Sequence, residues 1–299
     1  MTGRVLGVIG GSGLYAMDGL EDLDEHVVET TFGDPSDSVF SGRIGDTRLL
    51  FLPRHGRGHR FAPHEINYRA NVLALKMLGA EQIVSVSAVG SMKESIHPGE
   101  LVLPDQLIDR TRSRSNTYFE GIGVAAHVEF AEPIDAALQE ALYRAALETG
   151  TRTHRGGTYV CIEGPQFSTR AESNLFRSWG VDVIGMTNLP EARLAREAEL
   201  PYATIALATD YDCWHQSEAA VTVEAVVAVM KKNVASAQNV LRTLAASLPD
   251  PAASPASRAM EHAIMTSPER ISEDAKTKLA PLCGRVLPPM NAAGEGADR

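Results

Sequence analysis

Cysteine is scarce in these 299 residues: Cys161, Cys213 and Cys283 are odd in number, and no two form a C-x-x-C pair. A disulfide framework is therefore excluded, and a reducing compartment fits; each cysteine reads as a small buried hydrophobe. Basic residues are outnumbered, 28 Lys and Arg against 38 Asp and Glu, for a formal net charge of −10. That balance argues against nucleic acid as a partner, because binding a phosphate backbone needs basic surface. No run approaches the roughly 20 apolar residues of a membrane span. The N-terminus lacks a basic segment followed by an apolar one, so a cytoplasmic protein is expected. Also missing are a G-x-x-x-x-G-K-[ST] phosphate loop, a G-x-S-x-G elbow and an H-E-x-x-H zinc motif.

What is present is an alternation of short β-branched runs with amphipathic patterns. Strands are expected at 4–10, 26–32, 48–53, 82–90, 100–105, 158–164, 182–186 and 202–210, several of them apolar almost throughout. Helices are expected at 64–79, 133–150, 170–180 and about 222–248, three of them ending in glycine. The alternation predicts an α/β fold: a single domain over 1–248, its central sheet mixed and largely parallel and flanked by helices. Residues 249–257, "PDPAASPAS", read as a linker, followed by a modest helix over about 257–279. The segment 249–287 is thus expected as a helical appendage, and 288–299 as a disordered tail.

The first strand breaks into glycine, "RVLGVIGGSGLY" (4–15), a turn suited to bringing backbone N–H groups to an anion. Gly11 to Ala16 formally matches G-x-G-x-x-A, but "LYAMDGLEDLDE" is too acidic to open the helix that a dinucleotide needs. Three further strand ends carry donors. Arg54 offers a planar, permanently charged fork, with His55 beside it; Ser87 and the N–H of Ala88 lie in "SVSAVGS"; Thr187 lies in "MTN". Open α/β sheets bind ligands beyond the carboxyl ends of their strands, so the four clusters read as one converging anion site. On this reading Arg54→Ala raises the KM for phosphate and spares the fold. His55, His59 and His64 invite a metal, yet the Gly-Arg-Gly between the first two is poor helix material and carries a cation, so no metal is expected. Asp210 and Asp212 close the strand "ATIALATD"; at period two they point the same way and can address one ligand as proton donor and acceptor.

Together "GVIGGSGLY", "RHGRGHRFAPHEINYRANVLALK", "SAVGS", "IEGPQFSTRAES" and "ATDYDCW" resemble the trimeric purine nucleoside phosphorylase family, over about residues 4–248. Within it they are most similar to the branch acting on 5′-methylthioadenosine. The resemblance implies that family's fold, a homotrimer or a dimer of trimers, no cofactor, and inorganic phosphate as co-substrate. It implies phosphate on Ser12, Arg54, His55, Ser87, Ala88 and Thr187, with Ser12 and Ser87 standing where some relatives have Thr. Met186 then lines the ribose, Phe167 and Ser168 surround the base, and Asp210 and Asp212 read adenine. His59, Pro63 and His127 lie around the 5′ end of the substrate, partly lent by a neighbouring subunit. The implied reaction is phosphorolysis of an N-glycosidic bond, with Asp210 as the acid toward N7, its pKa raised by burial and by Asp212. A carboxylate facing the 6-amino group argues for 6-aminopurines. Phosphorolysis of 6-oxopurine nucleosides or methylthioinosine is the alternative, and a non-catalytic nucleotide-binding module a more distant one.

Overall fold

The computed structural model describes residues 4–11, 13–215 and 223–288. Its strands are β1 (Val5–Gly10), β2 (Glu21–His26), β3 (Val39–Ile44), β4 (Thr47–Pro53), β5 (Gln82–Ser91) and β6 (Leu101–Leu103). They continue with β7 (Gln106–Arg110), β8 (Thr153–Arg155), β9 (Thr158–Ile162), β10 (Val183–Gly185) and β11 (Tyr202–Asp210). The helices are α1 (Tyr68–Met77), α2 (Ala136–Glu148), α3 (Arg170–Ser178), α4 (Asn188–Glu197), α5 (Val223–Ala245) and α6 (Glu273–Cys283).

All eleven strands join one sheet. Its main path is β2-β3-β4-β1-β5-β10-β9-β7, while β11 pairs with β5 and β6, and β6 with β8. The pairs β1–β4, β1–β5, β5–β11, β6–β8, β7–β9 and β9–β10 are parallel; β2–β3, β3–β4, β5–β10 and β6–β11 are antiparallel. The expected mixed, largely parallel sheet is thus what forms. Strand β5 lies at its centre with neighbours on both edges, which is why "QIVSVSAVGS" is buried along almost its whole length.

Helix ends follow local chemistry. The Asn67 side chain accepts from the Ala70 N–H at the start of α1, Asp135 does the same for Leu138 in α2, and Thr169 and Glu172 form a capping box at α3. Gly79 and Gly180, at φ +91 and +82, stand just past helix ends in the left-handed region where a Cβ is unfavourable.

Two expectations shift. The strand expected at 26–32 forms instead at 21–26, on the acidic "EDLDEH", with Val27 left exposed. Strand β3 supplies the partner, and a row of charges suits an edge strand that must not recruit another chain. The helix expected over 257–279 is replaced by 3-10 turns at Pro251–Ala253, Pro255–Arg258 and Pro268–Arg270, with α6 later in the chain. A proline opens each turn at its first position, where its fixed φ suits the turn and its missing N–H costs nothing. The segment after residue 249 is packed into the molecule: Met260, Ala263, Ile271, Leu279 and Leu282 belong to the main apolar core. The Ser254 hydroxyl also donates to the α2 cap, Asp135, at 2.5 Å. The tail from 289 onward lies outside the described residues.

Candidate active site

The sheet opens where β5 changes neighbours. Along one edge β5 pairs with β1 only as far as Ser85, and with β10 only from Gly90. The opposite edge is occupied by β11 from Ile83 to Gly90. Residues 86–89 are therefore flanked by no strand on the first edge, and the ends of β1, β4 and β10 converge there. Ser87 and Ala88 lie in the opening, Ala88 exposed. Thr187 stands at the start of α4 just past β10. Ser12, in the glycine turn, lies outside the described residues.

Arg54, directly after β4, is almost wholly buried where β1 leaves β5. Its Nε and Nη2 donate to the two carboxylate oxygens of Glu191 at 2.8 and 3.0 Å. Nη1 reaches Val86 O at 3.1 Å, and Nη2 also lies within reach of Ile9 O (3.1 Å) and Ser85 Oγ (2.7 Å). Burial opposes the charge, but the Glu191 carboxylate outweighs it and holds the guanidinium above its ordinary pKa. The fork expected to face an anion is thus engaged by Glu191 and by the backbone of two strands. Arg54 ties β1, β4, β5 and α4 together at the edge of the opening, and the expectation that its removal spares the fold does not survive this geometry.

His55 also differs from the expectation. Its Nδ1–H donates to Phe61 O at 2.9 Å, which leaves Nε2 as an acceptor. Burial pushes its pKa down to about 4, with Arg54 adding to the effect and the Phe61 carbonyl opposing it. His55 is accordingly neutral at pH 7, and it can accept from a protonated phosphate oxygen rather than donate to one. His59 stacks on it with ring centroids 4.1 Å apart.

The hydroxyls of Ser87, Ser168 and Thr187 are buried without a hydrogen-bond partner among the described residues. Buried polar atoms are nearly always paired, so these three stand out, and all three lie at positions expected to hold ligand. Gly164, at φ +66, brings the "EGPQFS" loop against Met186: a Cβ there would lie 2.6 Å from Met186 Sδ and 3.4 Å from Pro63 Cγ. Phe167 is 84% exposed at the rim of that loop. His127 sits on an exposed segment, its N–H bonded to Ala263 O, and no bond joins it to the other site residues among those described.

Asp210 and Asp212 do come together, for a different reason than period two. The register shifts between Ala208 and Asp210, β11 ends there, and Asp212 lies in a 3-10 turn at φ +53. Gly90 makes room for both: a Cβ on it would lie 3.1 Å from Asp210 Oδ1 and 3.2 Å from Asp212 Cβ. Asp210 accepts from the Asp212 N–H at 2.8 Å and from the Thr209 hydroxyl at 2.7 Å. Asp212 accepts from the Ser173 hydroxyl at 2.5 Å. Burial pushes the Asp212 carboxyl above the usual range; the Ser173 bond opposes this and the Asp210 carboxylate adds to it.

Two residues escape a reading of motifs. Arg114 places Nη1 2.7 Å from both Met186 O and Leu189 O, and Nη2 2.6 Å from Glu163 O, clasping the segment after β10 to the "EGPQFS" loop. In sequence it is one of several arginines in "RTRSRS". Glu191 is one of two buried acids on α4, with Glu197, and follows the buried Asn188 by one turn, a weak signal for a buried ion pair. Among the described residues no three His, Cys, Asp or Glu side chains are grouped to hold a metal ion, and no helix is long and apolar enough to cross a membrane.

Comparison with known proteins places this architecture. Residues 5–246 match the Phosphorylase superfamily. The S-methyl-5′-thioadenosine phosphorylase of Geobacter sulfurreducens is 55% identical over 285 residues, 95% of this chain and 99% of the relative. That of Koribacter versatilis is 50% identical over 282 residues, 94% of this chain and 96% of the relative. A crystal structure of a methylthioadenosine phosphorylase from an antarctic soil metagenomic library superposes with a TM-score of 0.89 at 45% identity, covering 94% of this chain and 99% of that one. The methylthioadenosine phosphorylase of Schistosoma mansoni, in complex with adenine, gives 0.76 at 37% identity, over 81% of this chain and 91% of that one.

Proposed function

Since the chain belongs to the Phosphorylase superfamily, we propose that the open edge of β5 is where it cleaves 5′-methylthioadenosine with inorganic phosphate, giving adenine and 5-methylthioribose 1-phosphate. The observation that carries this reading is the spacing along β5. The unpartnered Ser87 hydroxyl marks one end of the opening, and Gly90, against which both aspartates rest, marks the other. Three steps along the strand separate them by about 10 Å, room for a ribose between a phosphate and a purine.

As the C1′–N9 bond stretches, the sugar becomes cationic and the purine anionic. Phosphate held by the Ser87 and Thr187 hydroxyls, the N–H of Ala88 and the Ser12 turn attacks C1′ and balances its charge. Its charge is also met by Arg54, although that fork is already shared with Glu191. His55, neutral, accepts from a P–OH. Asp210 passes a proton to N7, and Asp212, held by Ser173, faces the 6-amino group as its acceptor. Met186 lies against the ribose, with Phe167 and Ser168 around the base and His59 and Pro63 toward the 5′ end. The reading needs no cofactor and no metal, phosphate being consumed as a co-substrate. A cytoplasmic setting and a role in purine and methionine salvage go with it.

The deciding experiment is base release from methylthioadenosine, methylthioinosine, adenosine and inosine, each with and without phosphate. Phosphate-dependent release of adenine, fastest from methylthioadenosine, is expected. Faster release of hypoxanthine would mean that the aspartate pair donates to O6 instead.

A homotrimer, or a dimer of trimers, belongs to the same reading. His127, exposed and joined to no other site residue of its own chain, is then lent to a neighbour's substrate. Light scattering should give a mass of about 96 kDa, three times the 32.1 kDa chain, or twice that. A monomer in solution would remove His127 from the site.

A further inference from the structure

Tyr159, on β9, is completely buried, and its hydroxyl is another oxygen without a hydrogen-bond partner among the described residues. A phenylalanine would fill the same volume without that cost. The position of the ring is specific. A Cβ on Gly185 would fall 2.0 Å from Tyr159 Oη and 3.1 Å from Val89 Cγ1, so the phenol lies across Gly185, between β10 and the open edge of β5. Any side chain at 185 would have to push the phenol aside. Ser87 and Thr187 lie beside that oxygen without forming a bond of normal geometry to it. Three buried hydroxyls, from β5, β9 and the residue just past β10, therefore meet without bonding one another in normal geometry. Burial holds the phenol well above its ordinary pKa, more than the neighbouring Ser87 and Thr187 groups lower it, so it remains protonated and able to donate.

Three converging O–H groups match a tetrahedral oxyanion better than they match one another. We propose that Tyr159 is a third hydroxyl donor to the bound phosphate, beside Ser87 and Thr187, and that Gly185 is glycine in this chain to let it reach. This rests on the reading that phosphate binds at the open edge of β5.

Tyr159→Phe removes one oxygen and leaves the packing in place. Its KM for phosphate should rise about tenfold or more, as for a lost hydrogen bond to a charged group, with the KM for nucleoside little changed. Its thermal midpoint without phosphate should be equal to or above that of the unsubstituted protein. Inorganic phosphate should raise the midpoint of the unsubstituted protein, and raise that of Tyr159→Phe less at the same concentration. An unchanged phosphate KM together with an undiminished phosphate-induced shift overturns the assignment and makes the phenol a packing group only. If phosphate neither shifts the unsubstituted protein nor is required for base release, the phosphate site itself falls, and Tyr159 with it. The two failures are told apart by the unsubstituted protein alone.

Discussion

Arg54→Ala should produce an unstable protein before it produces one that binds phosphate poorly. The substitution strands Glu191, which is fully buried and accepts from Arg54 at 2.8 and 3.0 Å, with the Tyr202 hydroxyl as its remaining partner at 2.9 Å. Breaking one side of such a pair costs about 3–5 kcal/mol, because an uncompensated charge is left in the interior. For a chain of this size that lowers the thermal midpoint by about 10 °C. Pairing Arg54→Met with Glu191→Leu should recover much of the loss, since an apolar pair of similar volume carries no stranded charge. Thermal unfolding of the single and double variants measures both effects. A stable Arg54→Ala with a raised phosphate KM would restore the simpler view that this guanidinium is chiefly a ligand.

Asp210→Asn should lower kcat for methylthioadenosine by about 10²–10⁴-fold, the usual contribution of general-acid help, with the KM for phosphate close to unchanged. The amide can keep both contacts: its oxygen accepts from the Asp212 N–H, and its NH₂ donates to the Thr209 hydroxyl, which turns to Val89 O. A second substrate separates chemistry from local disturbance. A p-nitrophenyl 5-methylthioriboside has a leaving group that departs without a proton and should lose far less activity in the same variant. Equal losses on both substrates would make Asp210 a structural residue. Asp212→Asn is the companion: with the Ser173 bond kept by the amide oxygen, it should affect purine discrimination more than turnover of the p-nitrophenyl substrate.

The parts of the molecule visible in sequence are those whose environment is uniform along a segment. Strands β1, β4, β5 and β11 read as apolar runs because they are covered on both faces. Strand β2 is not legible, since "EDLDEH" has neither apolar content nor alternation and becomes a strand only because β3 lies alongside. The site divides in the same way. Arg54, Thr187 and Asp210 stand at or just past strand ends, where an α/β sheet collects ligands, and so can be named in advance; Ser87 stands inside β5, where that strand loses one neighbour before gaining the next. The roles of Arg54 and His55 cannot. Glu191 lies 137 residues from Arg54, and the carbonyl that fixes the His55 tautomer belongs to Phe61, on a loop with no periodic signal. Tyr159 and Gly185 read as ordinary strand residues until the two strands are laid side by side.

The opening in the β5 edge has a consequence for how this protein keeps to itself. Bare strand edges ordinarily invite another chain to add a strand, and are a common origin of aggregation. Here the bare stretch, residues 86–89, lies in the interior of the sheet with β1 before it and β10 after it, so it is too short and too enclosed for a peptide to dock. Arg54 fills its beginning through the bond to Val86 O. A molecule of a few atoms can enter where a polypeptide cannot. The fold thus keeps a reactive backbone edge available for chemistry while denying it to its own kind.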